Sequence, residues 1–188
     1  MTPNFVGGRP FPTRGMVFAV RGTGLVSKIV LQWQKSKGLC HTSKKKWVSH
    51  VGVVGNSDCD ERMWGWESHF GTGVVYHPIY SATEIRSLIA QKRLYFLKPP
   101  GLEGASETDL DVAFSVLRAV WHSHYDIRWI LSFGRMNREG WFMCAELVNL
   151  FCSALAKQRG TMWKGEDYEK FVPNHSTMWL DDATHLFG

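Results

Sequence analysis

The chain is 188 residues long, 44% hydrophobic and 21% charged, with a formal net charge of +5. Length and composition fit one globular domain able to bury a full core, and they exclude a disordered chain. The excess charge is modest: Lys44-Lys45-Lys46 is its only tight cluster, it reads as a solvated loop, and no nucleic-acid motif accompanies it, so no nucleic-acid partner is expected.

Residues 1–15 hold Gly7, Gly8, Pro10, Pro12 and Gly15 and read as an irregular N-terminal arm of a single domain spanning 1–188. Met16 to Arg21 is a short apolar run, a strand. Leu25, Ile29, Leu31 and Trp33 suggest a short helix between about Gly24 and Lys35. Gly38 to Lys46 is a polar loop. Trp47 to Val54 is β-branched and apolar, a clear strand, and Asn56-Ser57-Asp58 signals a turn. Further strands are expected from about Arg62 to Ser68 and from Val74 to His77, joined through Gly71-Thr72-Gly73, which makes an antiparallel meander.

Ser81 to Gln91 reads as a helix capped by Ser81 or Thr83, and Arg93 to Leu97 as a strand broken by Pro99-Pro100-Gly101. Ser106-Glu107-Thr108-Asp109 resembles a capping box ahead of a helix carrying Leu110, Phe114, Leu117 and Val120. A further helix opens at Cys144. Cys144, Leu147, Val148, Phe151 and Leu155 fall on one stripe, with Glu146, Asn149 and Ser153 opposite. Pro173-Asn174-His175-Ser176 is placed to start a last short helix.

The four cysteines, Cys40, Cys59, Cys144 and Cys152, show no CxxC spacing. The N-terminus lacks the basic-then-apolar pattern of a signal peptide, and no stretch is apolar for long enough to span a bilayer. The expectation is a soluble protein of a reducing cytoplasm with free thiols, delivery elsewhere by another route staying open. No basic amphipathic helix is evident that would hold it at a membrane surface. Nine Trp and eleven Phe are many for this length. Most are expected in the core, with some Trp left to line an apolar or carbohydrate-binding groove.

A thiol at a helix start ionises more readily, because unpaired N–H groups and the helix dipole favour the thiolate there. Taken alone, Cys144 also fits a small buried hydrophobe. A base for it is available in His50, on the strand Trp47–Val54. The next strand offers Glu67, within reach of His50 across a hairpin, to orient the imidazole. His69 shares Glu67's face and is the runner-up for that post. Cysteine plus histidine, distant in sequence and near in space, is the minimum equipment of a cysteine hydrolase or acyltransferase. A zinc site is the rival arrangement, since Cys40, His41, His50, Cys59, His69 and His77 are ligand types. Their spacings match no usual structural zinc pattern, and neither a metal nor an organic cofactor is expected.

Ser49-His50-Val51-Gly52-Val53-Val54, then Trp66-Glu67-Ser68 with Gly73-Val74 and Pro78, then Tyr125-Asp126, then Cys144-Ala145-Glu146-Leu147-Val148, together resemble the YiiX-like branch of the permuted NlpC-type papain-like cysteine hydrolases. The resemblance runs from about Gly15 to about Asn174. It implies a histidine strand that precedes the cysteine helix, with Cys144 as nucleophile, His50 as base and Glu67 as the orienting residue. It also implies that Tyr125 borders the site near the oxyanion. Two departures stand out. Gly15-Met16 occurs where members often carry Gly-Asp, and Ala145 follows the cysteine where they often have serine.

The expected fold is therefore α+β, permuted papain-like, with an antiparallel sheet or half-barrel packed against the helix that starts at Cys144. The expected function is hydrolysis of an amide bond, in a peptide or cell-wall peptide, through a thioacyl-enzyme. A lipid acyl substrate for the same triad, and a silent binding or structural module of the same fold, are the alternatives.

Overall fold

The computed structural model describes residues 4–6, 9–36, 47–57, 62–126, 128, 140–163 and 180–187. In chain order the strands are β1 (Asn4–Val6), β2 (Arg9–Phe11), β3 (Val17–Val20), β4 (His50–Ser57), β5 (Arg62–His69), β6 (Gly73–Ser81), β7 (Leu94–Lys98) and β8 (Asp181–Asp182). The helices are α1 (Leu25–Ser36), α2 (Ala82–Ala90), α3 (Glu107–Ala119) and α4 (Cys144–Gln158). Strands β3 to β8 form one six-stranded sheet in the order β6-β5-β4-β3-β7-β8, with every neighbouring pair antiparallel.

The centre of the sheet follows from composition. Val17, Phe18, Ala19 and Val20 are all buried, so β3 is apolar on both faces and pairs on both edges, with β4 and β7. The meander β4-β5-β6 is present and longer than its apolar runs suggest. β4 extends through Asn56-Ser57 and β6 runs on to Ser81, because the pairs Ser57↔Met63 and Arg62↔Ser81 carry the ladder past the apolar stretch.

Helix α4 buries Cys144, Leu147, Val148, Phe151 and Leu155, the expected stripe, against α3 and the sheet. The Phe114 and Phe151 rings lie 4.8 Å apart between the two helices. Burying a side chain like Phe151 contributes about 1.5–3 kcal/mol of transfer free energy. The capping box before α3 is complete: Asp109 N–H donates to Ser106 Oγ at 3.1 Å, and Ser106 N–H donates to Asp109 Oδ2 at 2.8 Å. Ser81, rather than Thr83, caps α2, in the same reciprocal way with Glu84.

The N-terminal arm corrects the expectation of an irregular segment. β1 and β2 pair antiparallel, Val6 opposite Arg9, as a separate two-stranded sheet. In the sequence two glycines separate these strands, a hairpin spacing that the reading of the segment as Gly- and Pro-rich did not weigh. The lysine cluster, Cys40, Cys59 and the segment Pro173–Ser176 lie outside the described residues. No helix among the described residues is long and apolar enough to cross a membrane.

Candidate active site

The sheet brings a histidine, a carboxylate and two further histidines onto one face. Val53 pairs with Trp66 and Val54 with Gly65. Continuing that register sets Gly52 opposite Glu67 and His50 opposite His69, all on one side by the period of two. His77, opposite Gly65 on β6, joins the same face. The geometry follows the register: the His50 and His69 rings are 5.0 Å apart, and those of His69 and His77 5.8 Å.

Gly52 makes this crowding feasible. A Cβ there would sit 2.3 Å from the Phe18 ring and 2.6 Å from the Trp66 carbonyl oxygen. With no side chain between them, Phe18 lies across the strand and Glu67 turns toward His50. His50 Nε2–H donates to Glu67 Oε2 at 2.6 Å, and His77 Nε2–H donates to Glu67 Oε1 at 2.6 Å. His69 Nε2 is also 2.6 Å from Glu67 Oε1 and shares that oxygen with His77. The Glu67 side chain is 4% exposed, while those of His69 and His77 are 43% and 40% exposed.

Cys144 reaches this cluster from α4. Met143 is the N-cap in extended conformation, and its N–H donates to Glu146 Oε2 at 2.7 Å. Cys144 and Ala145 therefore open the helix, where first-turn N–H groups have no intrahelical acceptor. Two hydrogen bonds hold this entry in place. Ser68 Oγ–H donates to the Phe142 carbonyl at 2.6 Å, tying the β5 residue beside Glu67 to the segment ahead of the cysteine. Phe142 N–H donates to the His124 carbonyl at 2.9 Å, tying the same segment to the loop that carries Tyr125. That loop is in turn fixed to β6: Val74 N–H donates to Ser123 O, and His122 N–H to Val74 O. Only glycine fits at position 73, where φ is +73° and a Cβ would stand 2.0 Å from Ser123 O.

The electrostatics couple these groups. Burial alone would lower the His50 pKa, but the charge and hydrogen bond of Cys144, followed by those of Glu67, push it up to about 10. Both neighbours thus favour the charged form of the His50 ring, whose Nε2–H is given to Glu67. Burial opposes the Glu67 charge as well. The surrounding imidazoles of His50, His69 and His77 more than offset this and hold its carboxyl well below the usual range. Tyr125 is pushed above its ordinary value, first by burial and then by the nearby charges of Cys144, Glu146 and Asp126, so it stays a neutral O–H donor.

The structure thus brings together Cys144, His50, Glu67 and Tyr125, and it places Ala145 wholly buried beside the cysteine. His69 sits at the carboxylate too, so both residues named for the orienting post are present and Glu67 is the one that bonds His50. The sequence reading missed His77 as a partner of Glu67, although its place on the Glu67 face across the Gly71–Gly73 turn carried that signal. It also missed Ser68, whose neighbours gave none.

The Trp-lined hollow falls elsewhere. Trp66, Trp121, Tyr76, Phe114, Arg14 and Arg118 line a depression of about 200 Å³. Trp66 adjoins Glu67 in β5 and so points to the opposite side of the sheet.

Cys144 and Cys152 are both buried free thiols. They differ in surroundings: burial alone acts on Cys152 and pushes its pKa far up, whereas Cys144 lies beside the His50 ring at the start of α4. In limited iodoacetamide labelling at mildly acidic pH, read by mass spectrometry, Cys144 is expected to be the first thiol modified. Labelling of Cys40, Cys59 or Cys152 with Cys144 still unmodified contradicts its assignment as the reactive thiol.

No protein-family model matches the chain, and no curated protein does. Among solved structures, the metalloprotein yiiX from Escherichia coli O157:H7 is similar, with a TM-score of 0.47 and 16% identity over 80% of this chain and 68% of that one.

Proposed function

We propose that this protein is a cysteine hydrolase acting on an amide bond, with Cys144 as nucleophile, His50 as acid and base, and Glu67 as the group that orients His50. The observation that carries the reading is the buried His50 ring set between the Cys144 thiol and the Glu67 carboxylate, with Nε2 2.6 Å from Glu67 Oε2.

In the first step the thiolate forms a C–S bond with the substrate carbonyl carbon. The oxygen, now negative, faces the first-turn N–H groups of α4 and the Tyr125 hydroxyl. Such a donor is worth about 3 kcal/mol in the transition state. His50 passes its Nδ1 proton to the leaving nitrogen as the C–N bond breaks, which leaves a thioacyl-enzyme. Neutral His50 then takes a proton from water, the hydroxide adds to the carbonyl carbon, and the C–S bond breaks to release the acid and the thiolate. Throughout, Glu67 keeps the Nε2 proton in place and balances the imidazolium charge.

A second reading, cleavage of a lipid acyl bond by the same residues, is favoured by α1. The sequence reading expected no basic amphipathic helix, yet α1 exposes Leu25 at 75%, Val26 at 37% and Ile29 at 40% beside Lys28 and Lys35. Such a surface suits contact with an anionic membrane. The Trp-lined hollow, being across the sheet from Glu67, lends that reading no acyl groove at the thiol.

The deciding experiment compares wild type and Cys144→Ala on peptidoglycan-type peptides, simple peptide amides and phospholipid vesicles. Cys144-dependent amide cleavage is expected to exceed fatty-acid release. Fatty-acid release with no amide cleaved promotes the lipid reading. No Cys144-dependent product from any panel leaves a binding module.

A further inference from the structure

We propose that His50, Glu67 and His69 form a Zn2+ site, and that metal bound there silences the thiol by taking its histidine. The metal site rests on donor geometry alone, while the silencing rests on the hydrolase reading above.

Three imidazole nitrogens converge on one buried carboxylate, each Nε2 2.6 Å from a Glu67 oxygen. Two of them are ordinary donors. The third, His69 Nε2, is shielded from solvent and is crowded onto Glu67 Oε1, the oxygen that already accepts from His77. Two imidazole nitrogens crowded onto one buried carboxylate oxygen make a donor set that a cation, shared by His69 and Glu67, would relieve. Ligand atoms of His50, Glu67 and His69 all lie within 4.8 Å of one another, and no other group of three such residues does so among the described residues.

The donor set selects the ion. Two imidazoles and one carboxylate suit Zn2+, whereas Mg2+ and Ca2+ prefer all-oxygen surroundings. Zinc bonds of about 2.0–2.1 Å at tetrahedral angles place donors about 3.4 Å apart, so the present 2.6 Å contacts must open by under about 1 Å. His69, 43% exposed, gives the ion a route from solvent, and water completes the fourth position. His77, which donates to Glu67 Oε1, is the outer hydrogen-bond partner that such a carboxylate ligand requires.

The chemistry then excludes catalysis. Zn2+ displaces the Nε2 proton of His50 to solvent and takes its lone pair, while Glu67 changes from a hydrogen-bond acceptor to a metal ligand. The imidazole can no longer cycle between acid and base, and Cys144 loses its mobile proton donor. Metal-free protein is the reactive form, and a chelator restores it.

The test is calorimetric titration of Zn2+ into the full chain near neutral pH, with Mg2+ as a control. Wild type and Cys144→Ala are expected to bind one equivalent of Zn2+ with like affinity, and His69→Ala and His69→Gln to bind about tenfold more weakly or less. Circular dichroism of the His69 variants checks that they fold. Equal affinity in wild type and both His69 variants overturns the site, and so does loss of binding in Cys144→Ala, which would put the metal on the thiol. In a second arm, one equivalent of Zn2+ is expected to slow iodoacetamide alkylation of Cys144 in wild type at least about tenfold, with recovery on adding EDTA. Unchanged alkylation with Zn2+ bound overturns the silencing. A protein that binds Zn2+ as described but turns over no substrate refutes the hydrolase reading and keeps the metal site.

Discussion

Replacing His50 with alanine is expected to abolish turnover, by about 10⁴- to 10⁶-fold, and to slow alkylation of Cys144 near neutral pH. The hydrolase reading gives His50 two tasks, stabilising the thiolate as its ion-pair partner and donating to the leaving nitrogen. Both vanish with the ring. The fold is expected to survive, for two reasons. The His50 side chain opens β4 and is 22% exposed, so little packing is lost. Glu67 also keeps His69 and His77 beside its carboxylate, so no buried charge is left uncompensated. The checks are alkylation kinetics and circular dichroism on the same sample. A variant that alkylates at the wild-type rate has lost nothing the thiol used, and His50 then has no part in its chemistry. A collapsed spectrum instead makes His50 a residue of the core.

The second large effect belongs to Glu67→Gln, expected to lower turnover by about 10- to 10⁴-fold, less than loss of Cys144 or His50. The carboxylate accepts from His50 at one oxygen and from His77 at the other. A glutamine offers one acceptor oxygen and one amide that donates. One imidazole must therefore reverse its hydrogen bond or move away, and the negative charge that balances the His50 imidazolium is gone. The reacting atoms themselves are untouched, so residual activity remains. His69→Ala, by contrast, leaves the His50 and His77 hydrogen bonds to Glu67 in place and is expected to be nearly silent in the metal-free protein. Steady-state rates of the two variants, measured after chelator treatment, decide the matter. An inactive His69 variant beside an active Glu67 variant exchanges their roles.

Much of this arrangement was readable from local pattern. The apolar stripe of α4, the capping box at Ser106 and the apolar run of β3 each depend on neighbours within about one or two helical turns, and period and capping chemistry report such features directly. The pairing of His50 with Glu67 was also accessible, because a hairpin sets two adjacent strands in register over a short loop. What escaped was set by neighbours farther off in the chain. Ser68 meets the Phe142 carbonyl across 74 residues, and nothing around Ser68 distinguishes it from any polar residue on a strand. The exposed apolar end of α1 was hidden for the opposite reason. Leu25, Val26 and Ile29 have the spacing of a buried stripe, and only the packing decides which side of a helix meets the core.

By itself the sequence determined helices α1 to α4, the antiparallel meander and the residue types at the site, though not β1, β2 or β8, since propensity, periodicity and caps act over a few residues. Only the tertiary structure decided how many imidazoles meet Glu67. Gly52 leaves the opening, the register of β4, β5 and β6 stacks His50, His69 and His77 on one face, and Gly73 lets the Tyr125 loop close against β6. These are consequences of strands meeting at one place, so the same four side chains could be named in advance while their convergence on a single carboxylate could not.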